Sequence, residues 1–318
     1  MKRLLTSSLL ALVLATAPAA AADKLTVLLD WFLNPDHATL VVARDKGFFA
    51  AEGLEVELIA PADPSAPPRL VATGQADIAV SYDPQLHLAV KEGLPIARFA
   101  TLVETPLNTV MALADGPVKT LADLKGRKVG YSVSGFEEVV LGTMLEKAGL
   151  KLADVTLVNV NFALTAGLLS GQVDAVVGGF RNFEATELEL HGKTARTFYP
   201  EENGVPAYDE LILVAAKGKL ADPRLPRFVA ALEAATLWTT NHAEEARAIL
   251  VKADAKLDDA LNTRAFADTL PRFAKRPGAL DKARALRFAA FLKARGSIDA
   301  VAPIETWAVE LGAGATGK

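Results

Sequence analysis

The sequence contains no cysteine and only four histidines among its 318 residues. The absence of cysteine excludes disulfide bonds, thiolate metal sites and cysteine nucleophiles. The histidines, at positions 37, 87, 191 and 242, do not have the spacing of a zinc motif. The chain also has neither the Gly-x-Ser-x-Gly turn of serine hydrolases nor a phosphate-binding P-loop. We therefore expect a protein that is not an enzyme, with no metal site and no cofactor.

An excess of basic residues is also missing, because the chain has 38 acidic and 34 basic side chains and a formal net charge of −4. A mildly acidic protein is a poor candidate for binding nucleic acid. The one long apolar run is N-terminal: Lys2 and Arg3 precede residues 4–17, and the small residues 19–22 follow. This pattern predicts a signal peptide over residues 1–22, although an uncleaved anchor is the alternative. Since no lipid-accepting cysteine follows, we expect a free periplasmic protein that is not embedded in the membrane.

Strand and helix patterns alternate along most of the remaining sequence. Residues 25–29 have the pattern of a strand and residues 39–51 that of a helix, and such alternation resumes near residue 108. A last strand is expected over residues 210–215, and the chain beyond it is helical in pattern. Alternating strands and helices predict an α/β fold with parallel strands.

Two segments have the same pattern of residues. TGQADIAVS (73–81) and SGQVDAVVG (170–178) both place Gly-Gln, a variable residue and Asp before a short apolar strand. The glycine suits a left-handed turn that ends a helix, and the aspartate would begin the strand. The similarity could arise by coincidence at two ordinary helix-to-strand connections. The alternative is two α/β lobes of similar build, each of which brings a strand end to a shared cleft.

Together with these two turns, GFFAAEGLEVEL (47–58) and LADLKGRKVGYSVSG (121–135) resemble the periplasmic solute-binding proteins of ABC importers. The similarity is to the branch that includes binders of nitrate, sulfonates and pyrimidine precursors. It implies a type II periplasmic binding protein with two α/β lobes and a hinge that the chain crosses twice. We expect lobe 1 to comprise residues 24–107 and 212–318, and lobe 2 to comprise residues 108–211.

Two further motifs narrow the resemblance. LDWFLNPDHA (29–38) and GGFRNFEATEL (178–188) are similar to signatures of the THI5/NMT1-like proteins and the formylaminopyrimidine-binding proteins. The resemblance implies that closure of the lobes captures a thiamine pyrimidine precursor, such as formylaminopyrimidine or hydroxymethylpyrimidine. A monomer would then deliver this small heteroaromatic ligand to an ABC permease with its ATPase.

Other functions stay open. The ligand could be riboflavin, a sulfonate or nitrate, and the protein could be a sensor-type binding protein or a pyrimidine-processing enzyme. Eukaryotic relatives of this family make the thiamine pyrimidine from their own histidine and pyridoxal phosphate, and they carry a cysteine-rich iron site. A chain without cysteine departs from that pattern.

The candidate ligand-binding residues follow predicted strands, because ligands of open α/β sheets bind beyond the carboxyl ends of the strands. Trp31 could be a stacking platform for a flat ring or a core side chain. Phe180 and Phe183 could form the opposite wall or pack below the cleft, and the family usually has Tyr or Trp there. Glu184 matches the family glutamate and could bind an exocyclic amine, or it could be a solvated residue at a helix start.

The remaining candidates have less distinctive positions. Residues near Trp31 could contact the ligand or only shape the loop, and they are Asp30, Asn34 and His37. Free N–H groups where the helix after residue 135 begins could hold an anionic or carbonyl group, which makes Ser134 and Gly135 candidates. Ser81 and Tyr82 end the other repeated strand and are comparable candidates.

Overall fold

The computed structural model describes residues 22–311. The predicted signal peptide therefore lies outside the described residues, apart from Ala22. Residues 22–311 form two five-stranded sheets surrounded by helices, which confirms the predicted α/β class. Within this part of the chain, none of the helices combines the length and the apolar character that crossing a membrane requires.

The first sheet has the strand order β2-β1-β3-β10-β4. Its strands are β1 (Asp23–Leu28), β2 (Leu54–Ile59), β3 (Ile78–Ser81), β4 (Ile96–Val103) and β10 (Leu211–Ala216). Strand β1 pairs in parallel with β2 and β3, whereas β10 is antiparallel to β3 and β4. The parallel strands bring their carboxyl ends to one edge, which is where Asp30 and Trp31 follow β1.

The second sheet repeats this arrangement in the order β7-β6-β8-β5-β9. Its strands are β5 (Asn108–Leu113), β6 (Lys128–Tyr131), β7 (Thr156–Asn159), β8 (Ala175–Phe180) and β9 (Ala195–Phe198). Strand β6 pairs in parallel with β7 and β8, and β5 is antiparallel to β8 and β9. The antiparallel strand of each sheet, β5 or β10, is the one that the chain enters directly from the other sheet.

The repeated Gly-Gln-x-Asp segments perform the same structural task in both sheets. Gly74 and Gly171 have positive φ angles of 76° and 71°, as a left-handed turn requires. The Asp77 carboxylate accepts the Thr26 N–H at 2.9 Å, and the Asp174 carboxylate accepts the Lys128 N–H at 2.9 Å. Each aspartate thus ties the start of one strand to its parallel neighbour.

Eleven α-helices in the described part of the chain cover the two sheets. They are α1 (Ala38–Asp45), α2 (Phe48–Ala51), α3 (Pro67–Ala72), α4 (Asp83–Lys91), α5 (Phe136–Lys147), α6 (Leu164–Leu169), α7 (Glu184–Leu190), α8 (Arg224–Asn241), α9 (Ala243–Ala253), α10 (Ala260–Thr269) and α11 (Lys282–Ala294). The single helix expected over residues 39–51 is divided at Gly47, whose φ angle of 86° ends α1. Helix α4 and strand β4 were not predicted, because the apolar residues of β4 show no alternation.

The chain passes between the sheets after β4 and again before β10, and one buried side chain joins the two passages. The Glu210 carboxyl accepts the N–H groups of Leu107 and Asn108 at 2.5 and 2.9 Å. Asn108 in turn accepts the Gly178 N–H at 3.2 Å. Burial raises the pKa of Glu210 to about 7. The two connections between the sheets are thus hydrogen-bonded to each other.

Candidate functional site

A cleft of about 440 Å³ opens between the carboxyl edges of the two sheets. It is lined by Asp30, Trp31, Asn34, Asp36, Tyr82, Ser132, Val133, Phe136, Glu137, Leu164, Gly178, Phe180, Phe183 and Glu184. The first four follow β1, Tyr82 follows β3, and the others come from the second sheet and its helices. Both halves of the chain therefore supply the walls.

The loop after β1 is held by its own polar side chains. Asn34 accepts the Asp36 N–H at 2.8 Å and begins a short 3₁₀ helix with Pro35 in its first turn. Nδ1 of His37 accepts the Asn34 N–H at 3.3 Å, so Nε2 carries the proton and donates to Asp30 at 2.8 Å. The fully buried His37 ring fixes the Asp30 carboxylate from behind and does not line the cleft.

Asp30 also accepts a hydrogen bond from Tyr82 at 2.8 Å. The Tyr82 ring stacks on Phe136 with centroids 4.9 Å apart. This pair spans the cleft, because Tyr82 follows β3 of the first sheet and Phe136 begins α5, which follows β6 of the second sheet. Ser81 points away from the cleft and donates to Gln85 at 2.9 Å.

Trp31 reaches across the cleft into the second half of the chain. Its ring meets Phe162 edge-on at a centroid distance of 4.6 Å, and it packs in an apolar cluster with Leu164 and Met111. Only 9% of Trp31 is exposed. Phe32 beside it is 42% exposed and lies 6.1 Å from the Phe183 ring. Aromatic side chains therefore close one end of the cleft.

A second polar contact across the cleft involves Asp36. Its Oδ1 atom accepts hydrogen bonds from the Asn182 amide at 2.8 Å and from the Thr269 hydroxyl at 2.7 Å. Asn182 belongs to the loop after β8, whereas Asp36 follows β1 and Thr269 ends α10. All three side chains are buried. The network joins both walls of the cleft.

Glu184 begins α7 and turns back toward the end of β8. Its carboxyl accepts the Phe180 N–H at 2.7 Å, and the residue is only 7% exposed, so it is not the solvated helix-start residue of the alternative interpretation. Burial raises the pKa of Glu184 to about 8. The neighbouring Arg181 does not pair with Glu184 and instead forms an ion pair with Glu201 at 2.6 Å.

The loop that precedes α5 has already satisfied several of its N–H groups. The Glu137 carboxyl accepts the Ser132 N–H at 2.8 Å, and Glu138 accepts the Gly135 N–H at 2.6 Å. The Ser134 N–H donates to the hydroxyl of Ser65, which lies in the segment between β2 and β3, at 3.2 Å. A ligand anion would have to displace these carboxylates to bind the same loop.

The polar lining of the cleft is acidic. Asp30, Asp36, Glu137 and Glu184 contribute carboxyls, and no lysine or arginine of residues 22–311 lines the cleft. Burial raises the pKa of Asp36, and it raises that of Glu137 well above its ordinary value. Raised pKa values favour the protonated form of these carboxyls, so the lining offers hydrogen-bond donors as well as acceptors.

Comparisons with known proteins agree with these features. The family model described as "NMT1/THI5 like" matches residues 34–246, which begin at Asn34, after Trp31, and include Glu184. The chain belongs to the NMT1/THI5-like family.

Relatives in this family are named for different roles. A Haemophilus influenzae protein named for thiamine biosynthesis is 49% identical over 93% of this chain and 95% of its own length. The "Formylaminopyrimidine-binding protein" of Halalkalibacterium halodurans is 42% identical over 61% of this chain and 59% of its own. A Legionella pneumophila protein named "4-amino-5-hydroxymethyl-2-methylpyrimidine phosphate synthase" is 27% identical over 81% of this chain and 83% of its own.

Among solved structures, the alkanesulfonate-binding protein SsuA from Xanthomonas axonopodis pv. citri, bound to MOPS, superposes with a TM-score of 0.71. It is 17% identical, and the match covers 92% of this chain and 100% of that one. At this identity the likeness shows the fold alone. The fold is the two-lobe fold of periplasmic binding proteins, as the resemblance implied.

The cleft brings together seven of the residues proposed from the sequence. They are Asp30, Trp31, Asn34, Tyr82, Phe180, Phe183 and Glu184. Four others lie outside it: His37 and Ser81 are buried behind its wall, and Ser134 and Gly135 line a separate surface groove beside Ser65 and Arg69. Whether any of these residues contacts a ligand stays a prediction.

Several lining residues were not among the candidates. They are the carboxyl residues Asp36 and Glu137, together with Ser132, Val133, Phe136, Leu164 and Gly178. The sequence could have indicated Asp36, because it lies between the candidates Asn34 and His37 in the same motif. Glu137 had no such signal, because an acidic residue at a helix start is common without a ligand.

Proposed function

We propose that this protein is the periplasmic solute-binding component of an ABC importer and captures a thiamine pyrimidine precursor. The proposed ligand class is that of formylaminopyrimidine and hydroxymethylpyrimidine. The lobes would close over the ligand, and the closed form would deliver it to a membrane permease with its ATPase. The relative that is named for binding formylaminopyrimidine supports this ligand class.

The observation that carries the proposal is the combination of aromatic rings and carboxyls in one cleft that no lysine or arginine of the described residues lines. Trp31, Phe180 and Phe183 offer ring faces and edges to a flat molecule. Stacking of a base on an aromatic side chain contributes about 1–3 kcal/mol. A carboxyl such as that of Glu184 can bind both an amine and the adjacent ring nitrogen of an aminopyrimidine.

The same lining disfavours the anionic ligands that were considered. Sulfonate and nitrate need cationic or N–H partners. The N–H groups of Ser132 and Gly135 are already bonded to Glu137 and Glu138, and no basic side chain of the described residues lines the cleft. An anion would therefore meet carboxyls with no charge to balance it.

Capture by lobe closure is supported by contacts between the two halves of the chain. Trp31 packs against Phe162, and Asp36 accepts from Asn182. These contacts can form only when the walls are close together. A ligand that touches both walls would favour the same arrangement and shift the population toward it.

A thermal-shift screen of residues 23–318 tests the ligand class. The panel contains formylaminopyrimidine, hydroxymethylpyrimidine, thiamine, riboflavin, taurine and nitrate. A ligand at 100 times its Kd stabilises the protein by about 2.7 kcal/mol, which is a shift of several degrees. We expect the pyrimidines to give the largest shifts. A shift with taurine or nitrate and none with a pyrimidine would refute the ligand class while leaving a binding role.

An enzymatic role is the second candidate, because one relative along most of this chain is named as a pyrimidine phosphate synthase. Product analysis after incubation with hydroxymethylpyrimidine and with pyridoxal phosphate separates the two roles. Unchanged small molecules together with stoichiometric binding support transport. A new pyrimidine product, or loss of mass from a histidine of the chain, would support synthesis.

A further inference from the structure

Glu137 is a buried carboxyl in the wall of the cleft, close to the start of α5. The residue is 2% exposed, and its Oε2 atom accepts the Ser132 N–H at 2.8 Å. No sequence motif marked it as a ligand contact. Its position at a helix start would normally be explained by the helix dipole, but helix-start carboxylates of that kind are solvated, and Glu137 is not.

The end of β8 leaves space for this carboxyl. Gly178 has a φ angle of 95°, and a Cβ atom added there would lie 2.2 Å from Oε1 of Glu137. Any other residue at this position would be strained and would push the carboxyl away. The glycine in strand β8 therefore allows the Glu137 carboxyl to lie against the strand at the cleft wall. Glu184 contacts the same strand two residues later, at Phe180.

The surroundings of Glu137 disfavour a negative charge. The titratable groups that face it are Glu138 on the same helix, Glu210 at the passage between the sheets, and Tyr82 across the cleft. None is a cation. Burial is the main reason that the pKa of Glu137 lies well above its ordinary value, and the N–H groups of Ser132 and Val133 offset only part of it. The buried site therefore favours the protonated carboxylic acid over the carboxylate.

We propose that Glu137 is a specificity-determining residue that donates its carboxylic O–H to an acceptor nitrogen of a heteroaromatic ligand. The inference rests on the proposed function and deepens it. A ligand of this cleft would then need an acceptor nitrogen facing Glu137 and donor groups facing the other carboxyls. Neutral aminopyrimidines satisfy both needs, whereas a flat ring without an acceptor nitrogen satisfies only the stacking contacts.

Ligand analogues and three variants test this pairing. The probes are hydroxymethylpyrimidine and its two pyridine analogues, in each of which C–H replaces one ring nitrogen. The wild-type protein should bind one analogue about tenfold more weakly than the pyrimidine, the expected effect of one lost hydrogen bond. Glu137→Met, which cannot donate, should lose this discrimination. Glu137→Gln, whose amide can donate, should keep it.

Glu138→Gln is the matched control, because Glu138 is the next residue on α5 and also accepts a backbone N–H but lies outside the cleft. It should discriminate as the wild type does. If Glu137→Met does not fold, Glu137→Gln decides. We expect wild-type affinity to fall at alkaline pH as the carboxylic acid loses its proton, and Glu137→Gln must keep the discrimination and lose less affinity over the same pH range.

Two failures are distinguishable. A wild-type protein that binds no pyrimidine overturns the proposed function and this inference with it. A wild-type protein that binds the pyrimidine, while Glu137→Met discriminates against each analogue as strongly as the wild type does, overturns only the role of Glu137. The same holds if Glu137→Gln loses the discrimination as fully as Glu137→Met does.

Discussion

The hydrogen-bond network of Asp36, Asn182 and Thr269 gives a direct test of closure. The Asn182 amide donates to Asp36 at 2.8 Å and to Thr269 at 2.7 Å, and thereby connects the loop after β8 to the other lobe. Asn182→Ala removes both bonds. If the network forms only on closure, the variant should bind ligand more weakly while the ligand-free protein keeps its stability.

The size of the effect follows from the partners that are lost. Hydrogen bonds to charged groups contribute about 1.5–3 kcal/mol and those between neutral groups about 0.5–1.5 kcal/mol. If the proposed open form exists, water would replace both bonds there, and their loss would affect closure and not folding. Asp36 still accepts the hydrogen bond from Thr269 at 2.7 Å, which limits the loss of binding free energy. We expect binding to weaken by about 2 kcal/mol, which raises the Kd roughly thirtyfold.

Calorimetric titration with hydroxymethylpyrimidine measures the Kd, and scanning calorimetry without ligand measures stability. Asn203→Ala is the matched control, because the Asn203 amide donates to the Tyr199 carbonyl at 2.9 Å within one lobe. The control should bind like the wild type. An Asn182→Ala protein with unchanged Kd would refute the closure role, and an equally large loss of ligand-free stability would show that the network supports folding instead.

Three other outcomes are expected. Trp31→Ala should weaken pyrimidine binding by about 1–3 kcal/mol in titrations; unfolding of the ligand-free variant would instead place Trp31 in the core. Burial raises the pKa of Glu184 from 4.5 to about 8. Between these two pH values the folded protein holds a proton that the unfolded chain releases. The free energy of unfolding therefore falls as the pH rises through this interval. Glu184→Gln should lose less stability there in urea titrations, and an identical pH slope would contradict this. Burial lowers the pKa of His87 from 6.5 to about 4, so the free energy of unfolding falls as the pH decreases through this range. His87→Gln should lose less stability over the same range. An equal loss in the variant and the wild type would contradict this.

The sequence predicted the features that depend on local pattern. The Gly-Gln-x-Asp segments predicted two left-handed turns. The structure contains both, with positive φ angles at Gly74 and Gly171. Positions directly after strands suggested Trp31 and Glu184 as candidates, and both line the cleft. In an open α/β sheet, the end of a strand determines a position in space even when the rest of the fold is unknown.

Contacts between distant parts of the chain were beyond the reach of sequence patterns. Asp36 and Asn182 are 146 positions apart, and neither residue carries a local signal of the other. His37 and Ser81 follow or end strands as the true lining residues do, yet they face the interior, where Asp30 and Gln85 bind them. Which side of a loop faces a cleft depends on the packing of the second lobe.

The fold of this chain is similar to that of an alkanesulfonate-binding protein, but a shared fold does not determine which ligand is bound. Both chains can share a two-lobe architecture because the sheets and their connections determine where the cleft lies. The chemistry of the cleft depends on a few side chains at the strand ends. In this chain Glu137 and Glu138 occupy the N–H groups that begin α5, and Asp30, Asp36 and Glu184 add further carboxyls. Because each of these groups accepts hydrogen bonds or holds a proton to donate, the proposed aminated heterocycle would find partners for its donor and acceptor groups. An anion would find no basic side chain of the described residues in the lining of the cleft.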